Sequence, residues 1–203
     1  MKDASKPSIL LASIITIGSL SGRADAVTLI DFSNSPVGAL SAGSILTTQY
    51  SSFGVIFSAT ENGLPVNLAV VDNYTVAAGG IYLGNTDSNT FLNRHDTITI
   101  TFSNPVNNVS WLTESLGNLS ITFNAYSSSN ALLQTVVTPA AGVSWGATSF
   151  SVSGISRIEA NQPVDNWAWG LDNLSYTAVP EPASALLLGL GSLGILARRR
   201  RNS

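Results

Sequence analysis

TITITF (97–102) and LSITFNAY (119–126) decide the fold of this chain. In the first, Ile98, Ile100 and Phe102 share one parity, and Thr97, Thr99 and Thr101 the other. In the second, Leu119, Ile121, Phe123 and Ala125 alternate with Ser120, Thr122, Asn124 and Tyr126. A period of two places one set on each face of a half-buried strand. Working outward, the same chemistry predicts strands at VTLIDF (27–32), FGVIFSA (53–59), VNLAVV (66–71), GIYLG (80–84) and NVSWLT (108–113). Further along it predicts ALLQTVV (131–137), TSFSVS (148–153), SRIEA (156–160) and LDNLSYTA (171–178). Ser103-Asn104-Pro105, Ser128-Ser129-Asn130 and Ala140-Ala141-Gly142 read as turns between them. Many short alternating strands without a helical period indicate an all-β fold, an antiparallel jelly-roll-like β-sandwich. No fixed repeat is visible, which sets aside solenoids and propellers.

The charge distribution separates this central domain from its flanks. Of nine basic residues in 203, only Arg94 and Arg157 fall between Val27 and Val179, against nine acids, for a net charge of −7. A lysine-free acidic domain repels phosphate backbones, which argues against a nucleic-acid partner. The chain has no cysteine, so disulfides and thiolate metal sites are excluded.

Residues 1–26 read as a signal peptide. Lys2 and Lys6 precede a twelve-residue apolar stretch, Ile9 to Leu20, followed by Ala24-Asp25-Ala26. A basic start, a short apolar core and an A-x-A site are the three parts of a secretory signal. Twelve helical residues span about 18 Å, well short of the ~30 Å hydrocarbon core. Cleavage after Ala26 would start the mature chain at Val27, and the exported β-sandwich domain occupies 27–178.

Residues 179–203 form a third segment. Pro180-Glu181-Pro182 cannot continue a sheet ladder. The apolar run Ala183 to Ala197 is long enough for about 22 Å of helix, a short transmembrane helix that could cross a thin bilayer. Arg198, Arg199, Arg200 and Arg201 follow and would stay cytoplasmic, leaving the central domain on the outer side.

This tail strongly resembles that of the PEP-CTERM proteins: a Pro-Glu-Pro triplet, a short Gly/Leu/Ala-rich helix and an arginine cluster. The resemblance implies a Gram-negative bacterium and processing near Pro180-Glu181-Pro182 by an exosortase-type membrane protease. It also implies transient insertion in the inner membrane, followed by residence at the cell surface or in an exopolysaccharide or biofilm matrix. An ordinary single-span anchor is the alternative, with the same topology. More loosely, Gly170-Leu171-Asp172-Asn173-Leu174-Ser175-Tyr176 resembles the closing strand of lectin-like and carbohydrate-binding sandwiches.

Four groups of residues could carry chemistry. Asp172 shares the parity of Leu174 and Tyr176, so a regular strand turns it toward the core, where it needs hydrogen-bond donors or a cation. Asp172 and Asp165 are the candidate ligands of a structural calcium, with Asn166, Asn173 and backbone carbonyls nearby; the alternative is a carboxylate capping backbone N–H groups. In related jelly-roll modules such an ion joins first and last strands, which would recruit Asp31, although Asp31 is out of phase with Ile30 and Phe32. Trp167 and Trp169, beside Asp165 and Asn166, form the candidate sugar-binding set; a place in the core is the alternative for either ring. Asn85 to Asn89 has alternating oxygen donors but lacks the glycine and glutamate of an EF-hand. His95, the single histidine, stands between Arg94 and Asp96 in what reads as a charged turn.

One histidine and no recognisable catalytic motif point to a non-catalytic protein. The expected function is an exported cell-surface or biofilm-matrix protein that binds exopolysaccharide or serves as a matrix component. The alternatives are a secreted glycosidase or lyase on the same scaffold and a protein-binding adhesin.

Overall fold

The computed structural model describes residues 26–33, 36–72, 81–84, 86, 97–115, 120–138, 145–161 and 169–179. Its strands are β1 (Val27–Ile30), β2 (Val55–Glu61), β3 (Leu64–Val66), β4 (Val70–Asp72), β5 (Ile81–Gly84) and β6 (Thr97–Ser115). They continue with β7 (Thr122–Tyr126), β8 (Leu132–Val137), β9 (Gly146–Ser149), β10 (Ile155–Asn161) and β11 (Trp169–Ala178). Every pairing between them is antiparallel. A one-turn helix, Ser51–Phe53, leads into β2 and ends on Gly54 at φ +77°, a left-handed position that glycine takes without strain.

Strand β6 organises the sandwich. Its first half, Thr97–Phe102, pairs with β2 on one side and β10 on the other. Its second half, from Val106, pairs with β11 and β9. The segment expected as a turn, Ser103-Asn104-Pro105, is instead a corner within one strand. Proline lacks a donor for a sheet ladder, and here it stands where β6 exchanges one set of partners for another. The first layer therefore runs β3-β2-β6-β10-β7-β8, and the second β9-β6-β11, with β5 and β1 end to end along the far edge of β11.

The two layers face each other across aromatic contacts. Phe123 on β7 meets Trp111 on β6 at 4.7 Å between ring centroids and Trp169 on β11 at 5.8 Å. Phe32, just past β1, meets Phe57 on β2 at 5.6 Å. The alternation read from the sequence is the burial pattern observed: Ile98, Ile100, Phe102, Ile121, Phe123 and Ala125 are all buried. The stretch VNLAVV divides into the end of β3 and the start of β4, with Leu68 and Ala69 buried between them.

Two asparagines correct each other. Asn173 and Asn108 both have φ of +52°, a left-handed conformation that asparagine adopts more readily than most residues. β11 pairs Asp172 with Leu112 but Ser175 with Ser110, so Asn173 is an extra residue on β11. The ladder then pairs Thr177 with Asn107, so Asn108 is an extra residue on β6 and the register is restored.

The signal segment, the apolar run Ala183 to Ala197 and the arginine cluster lie outside the described residues. Among the described residues no helix is long and apolar enough to cross a membrane.

Candidate functional site

The outer face of the first layer is built by the same alternation that builds the core. Residues between the buried positions of β2, β6, β10, β7 and β8 line up in register across five strands. The middle row is Ser58, Thr99, Glu159, Asn124 and Thr135. On one side of it lies Ile56, Thr101, Arg157, Tyr126 and Leu132; on the other, Thr60, Thr97, Asn161, Thr122 and Val137. At a strand spacing of about 4.8 Å the face is roughly 19 Å wide.

This face presents mainly hydroxyl and carboxamide groups, several of them pre-oriented. The Thr97 hydroxyl donates to Asn161 Oδ1 at 2.7 Å, and that of Thr135 to Asn124 Oδ1 at 2.7 Å. At its centre Arg157 is ion-paired with Glu159, while its guanidinium lies 4.3 Å from the Tyr126 ring centroid. Partial burial, followed by a hydrogen bond to Glu159, raises the Tyr126 phenol above its ordinary pKa. The cluster is thus a locally neutral, cross-strand network: a flat cation over an aromatic ring, with a carboxylate joined to both. No residue of this network stood in the sequence-derived candidate set. Strand parity gives the outward positions, but only strand order brings β10 between β6 and β7.

A second constellation surrounds Asp172. Its side chain is 3% exposed, as parity predicted. Oδ1 accepts the Asn173 N–H at 2.7 Å, and the carboxylate also accepts the Phe32 N–H. It thus satisfies backbone donors where β11 changes edge partner from β5 to β1, the capping role. Burial pushes its pKa up to about 6 against these two hydrogen bonds, and the nearby charge of Asp31 adds to the rise. Asp31 keeps its phase, half-buried between the fully buried Ile30 and Phe32, yet its charge reaches Asp172. Asp31 accepts the Ser33 N–H at 2.8 Å. Tyr50, 2% exposed, has a buried hydroxyl without a hydrogen-bond partner, and its pKa is raised by burial and then by Asp31 and Asp172.

Two carboxylates and a phenol fall short of the six to eight oxygens that calcium takes. Among the described residues there is no group of three or more acidic, histidine or cysteine side chains that could hold a metal. Asp165 and Asn166, which would complete the set, lie outside the described residues, as do Trp167, Asn85, residues 87–89 and His95.

The structure corrects the pairing of Trp167 with Trp169 as an exposed stacking pair. Trp169 is 1% exposed and packs edge-on against Phe123 between the layers, leaving no open face for a sugar. Trp111 is also in the core, and Trp145 packs edge-on against Tyr82 at 5.1 Å. Glu114, which the sequence did not mark, is a second buried carboxylate, 1% exposed. At the two termini of the domain, Ala26 is exposed directly before β1, and Ala24 and Pro180 to Ser203 lie outside the described residues.

Residues 178–201 match the family model of the PEP-CTERM protein-sorting motif. No curated protein matches the chain. Among solved structures the chain is similar to an isomalto-dextranase of Arthrobacter globiformis T6 complexed with panose, at 9% identity and a TM-score of 0.36. That likeness covers 75% of this chain and 32% of the other, so the chain spans about a third of its length. The K3 cleaved adhesin domain of Lys-gingipain from Porphyromonas gingivalis W83 is 12% identical at a TM-score of 0.32, covering 75% of this chain and 91% of that one. A carbohydrate-binding module of Cellvibrio mixtus lichenase 5A, in complex with cellotriose, is 14% identical at 0.24, covering 70% and 100%. These scores are too low to transfer any function.

Proposed function

We propose, for a chain that carries the PEP-CTERM protein-sorting motif and is therefore an exported surface protein, the role of a non-catalytic polysaccharide-binding component of the cell surface or biofilm matrix. The C-terminal segment anchors it in the membrane before processing, and recognition of the motif makes an exosortase-type protease its partner. The observation that supports polysaccharide binding is the outer face of the first layer. Hydroxyl and carboxamide groups at strand spacing offer both donors and acceptors to sugar hydroxyls, and Arg157 is neutralised by Glu159. A neutral or weakly charged glycan suits that balance. Trp167, with Asp165 and Asn166, is a second sugar contact, and a structural calcium at Asp172 and Asp165 is part of the same proposal.

A glycan array probed with the extracellular protein, with and without calcium, tests this. Binding weakened by Arg157→Ala or Asn124→Ala places the sugar on the outer face; binding weakened by Trp167→Ala places it on the other contact. Absence of binding to any glycan contradicts the reading and favours a scaffold role.

One observation favours a polysaccharide-active enzyme: Asp172, its pKa raised, stands near the second carboxylate of Asp31, a combination that glycosidases use as acid and base. At 3% exposure, however, Asp172 offers a substrate little surface. Polysaccharide turnover abolished by Asp172→Asn would establish that reading in place of the first.

A further inference from the structure

Both ends of the sandwich meet at one place. Val27, which opens β1, pairs with Thr177 near the end of β11. Ala178 pairs with Val106, and the Val179 N–H donates to the Pro105 carbonyl at 3.1 Å. The sorting motif begins at residue 178, so the sheet holds its first two residues up to the bond with Pro180. The β6 corner and the helix Ser51–Phe53 lie at the same level. Ser103 N–H donates to the Gly54 carbonyl at 2.8 Å, and the Tyr176 hydroxyl to the Phe53 carbonyl at 2.6 Å.

Three large apolar side chains are exposed at this end: Val27 at 65%, Leu29 at 47% and Phe53 at 37%. All the described carboxylates but Asp31, which follows Leu29 by two residues, stand well away from it. Glu159 is four positions beyond Ile155, the partner of Val106. Asp172 is six before Ala178, Glu61 six beyond Val55, and Glu114 eight beyond Val106. Asp72 pairs with Ile81 on the outer strands of the second layer, away from the corner. Four residues of strand cover roughly 13 Å, more than the Debye length of about 8 Å at physiological salt. An anionic bilayer surface placed at this end would therefore meet, among the described carboxylates, chiefly that of Asp31.

We propose that this end is a membrane-contacting face. While the sorting segment is attached, Val27, Leu29 and Phe53 rest at the boundary between headgroups and acyl chains, and the strands stand away from the bilayer. Three partly exposed side chains would not hold a free domain there; the attached segment supplies the effective concentration, and its removal frees the face. The inference rests on the sorting reading and adds the orientation of the domain.

The absence of cysteine makes single-cysteine probes unambiguous. The unprocessed chain, as Leu29→Cys, Phe53→Cys or Leu64→Cys, is labelled with a fluorophore and reconstituted into phosphatidylethanolamine–phosphatidylglycerol vesicles carrying nitroxide headgroups. Leu64 is the control, because it is 69% exposed but sits in the β2–β3 hairpin at the opposite end. Quenching at positions 29 and 53 should be several-fold stronger than at 64. Equal quenching at all three, or none on a chain that co-floats with vesicles, overturns the inference alone. A chain that does not co-float overturns the membrane stage of the sorting reading as well.

Discussion

Replacing Asp172 by asparagine should remove a pH dependence that this one buried carboxyl imposes. Burial raises its pKa from 3.8 to about 6 in the folded protein. The native state then binds the proton more tightly than the unfolded chain, so between those two values it holds more protons. Stability contributed by the neutral carboxyl is present below the lower value and is lost as pH rises through the upper one. At roughly 1.4 kcal/mol per tenfold change in proton affinity, the loss approaches 3 kcal/mol. Asp172→Asn keeps an oxygen for the Asn173 N–H and removes the charge. Its cost is about 1 kcal/mol if the amide turns a donor toward the Phe32 N–H. The variant should therefore match or exceed the natural protein in stability near neutral pH and be the weaker of the two near pH 4. Equilibrium urea unfolding across that range, natural protein against variant, reads the difference directly. An unchanged slope in the variant would refute the burial argument. Calcium should abolish the difference in slope if it binds Asp172, since a bound cation holds the carboxylate ionised; an unaltered slope at saturating calcium would sink the metal proposal.

Other positions give independent tests. Trp169→Ala should cost about 3–5 kcal/mol by urea unfolding, the loss expected for a large core aromatic, whereas an exposed sugar-stacking residue would cost far less. Gly170→Ala should destabilise by about 1–3 kcal/mol, because its Cβ would stand 2.4 Å from the Tyr82 ring; the unfolding midpoint reports it. Asn173→Val should cost about 1–2 kcal/mol more than Asn173→Gly, since only the latter tolerates φ of +52°. Equal midpoints for the two would remove the bulge argument.

Much of the fold was legible because each strand announces itself over a few residues. TITITF and the strand that follows it show their inner faces by alternation alone, and those faces are the ones buried. The corner in β6 was not legible. Ser103-Asn104-Pro105 has the composition of a turn, and only the exchange of partners from β2 and β10 to β11 and β9 makes it a bend. Asn108 and Asn173 both fall in Asn-x-Ser/Thr triplets, yet their place in the fold is as left-handed bulges. The site was harder to read. Parity placed Asp172 inside and Asp31 out of phase with Ile30 and Phe32, as observed, but it could not show that the two carboxylates lie near each other. Trp169 sits on a strand covered on its inner side by β7, and parity cannot tell which face of a strand meets the other layer. The Arg157–Glu159–Tyr126 network joins two strands about thirty residues apart, a proximity that depends on strand order.

If the tail is a sorting signal that is removed, the mass of the mature extracellular protein records its loss. Intact-mass spectrometry should return a chain beginning at Val27 and ending near Val179 to Pro182. Recovery from the same fraction of chains that retain Arg198 to Arg201 would contradict it.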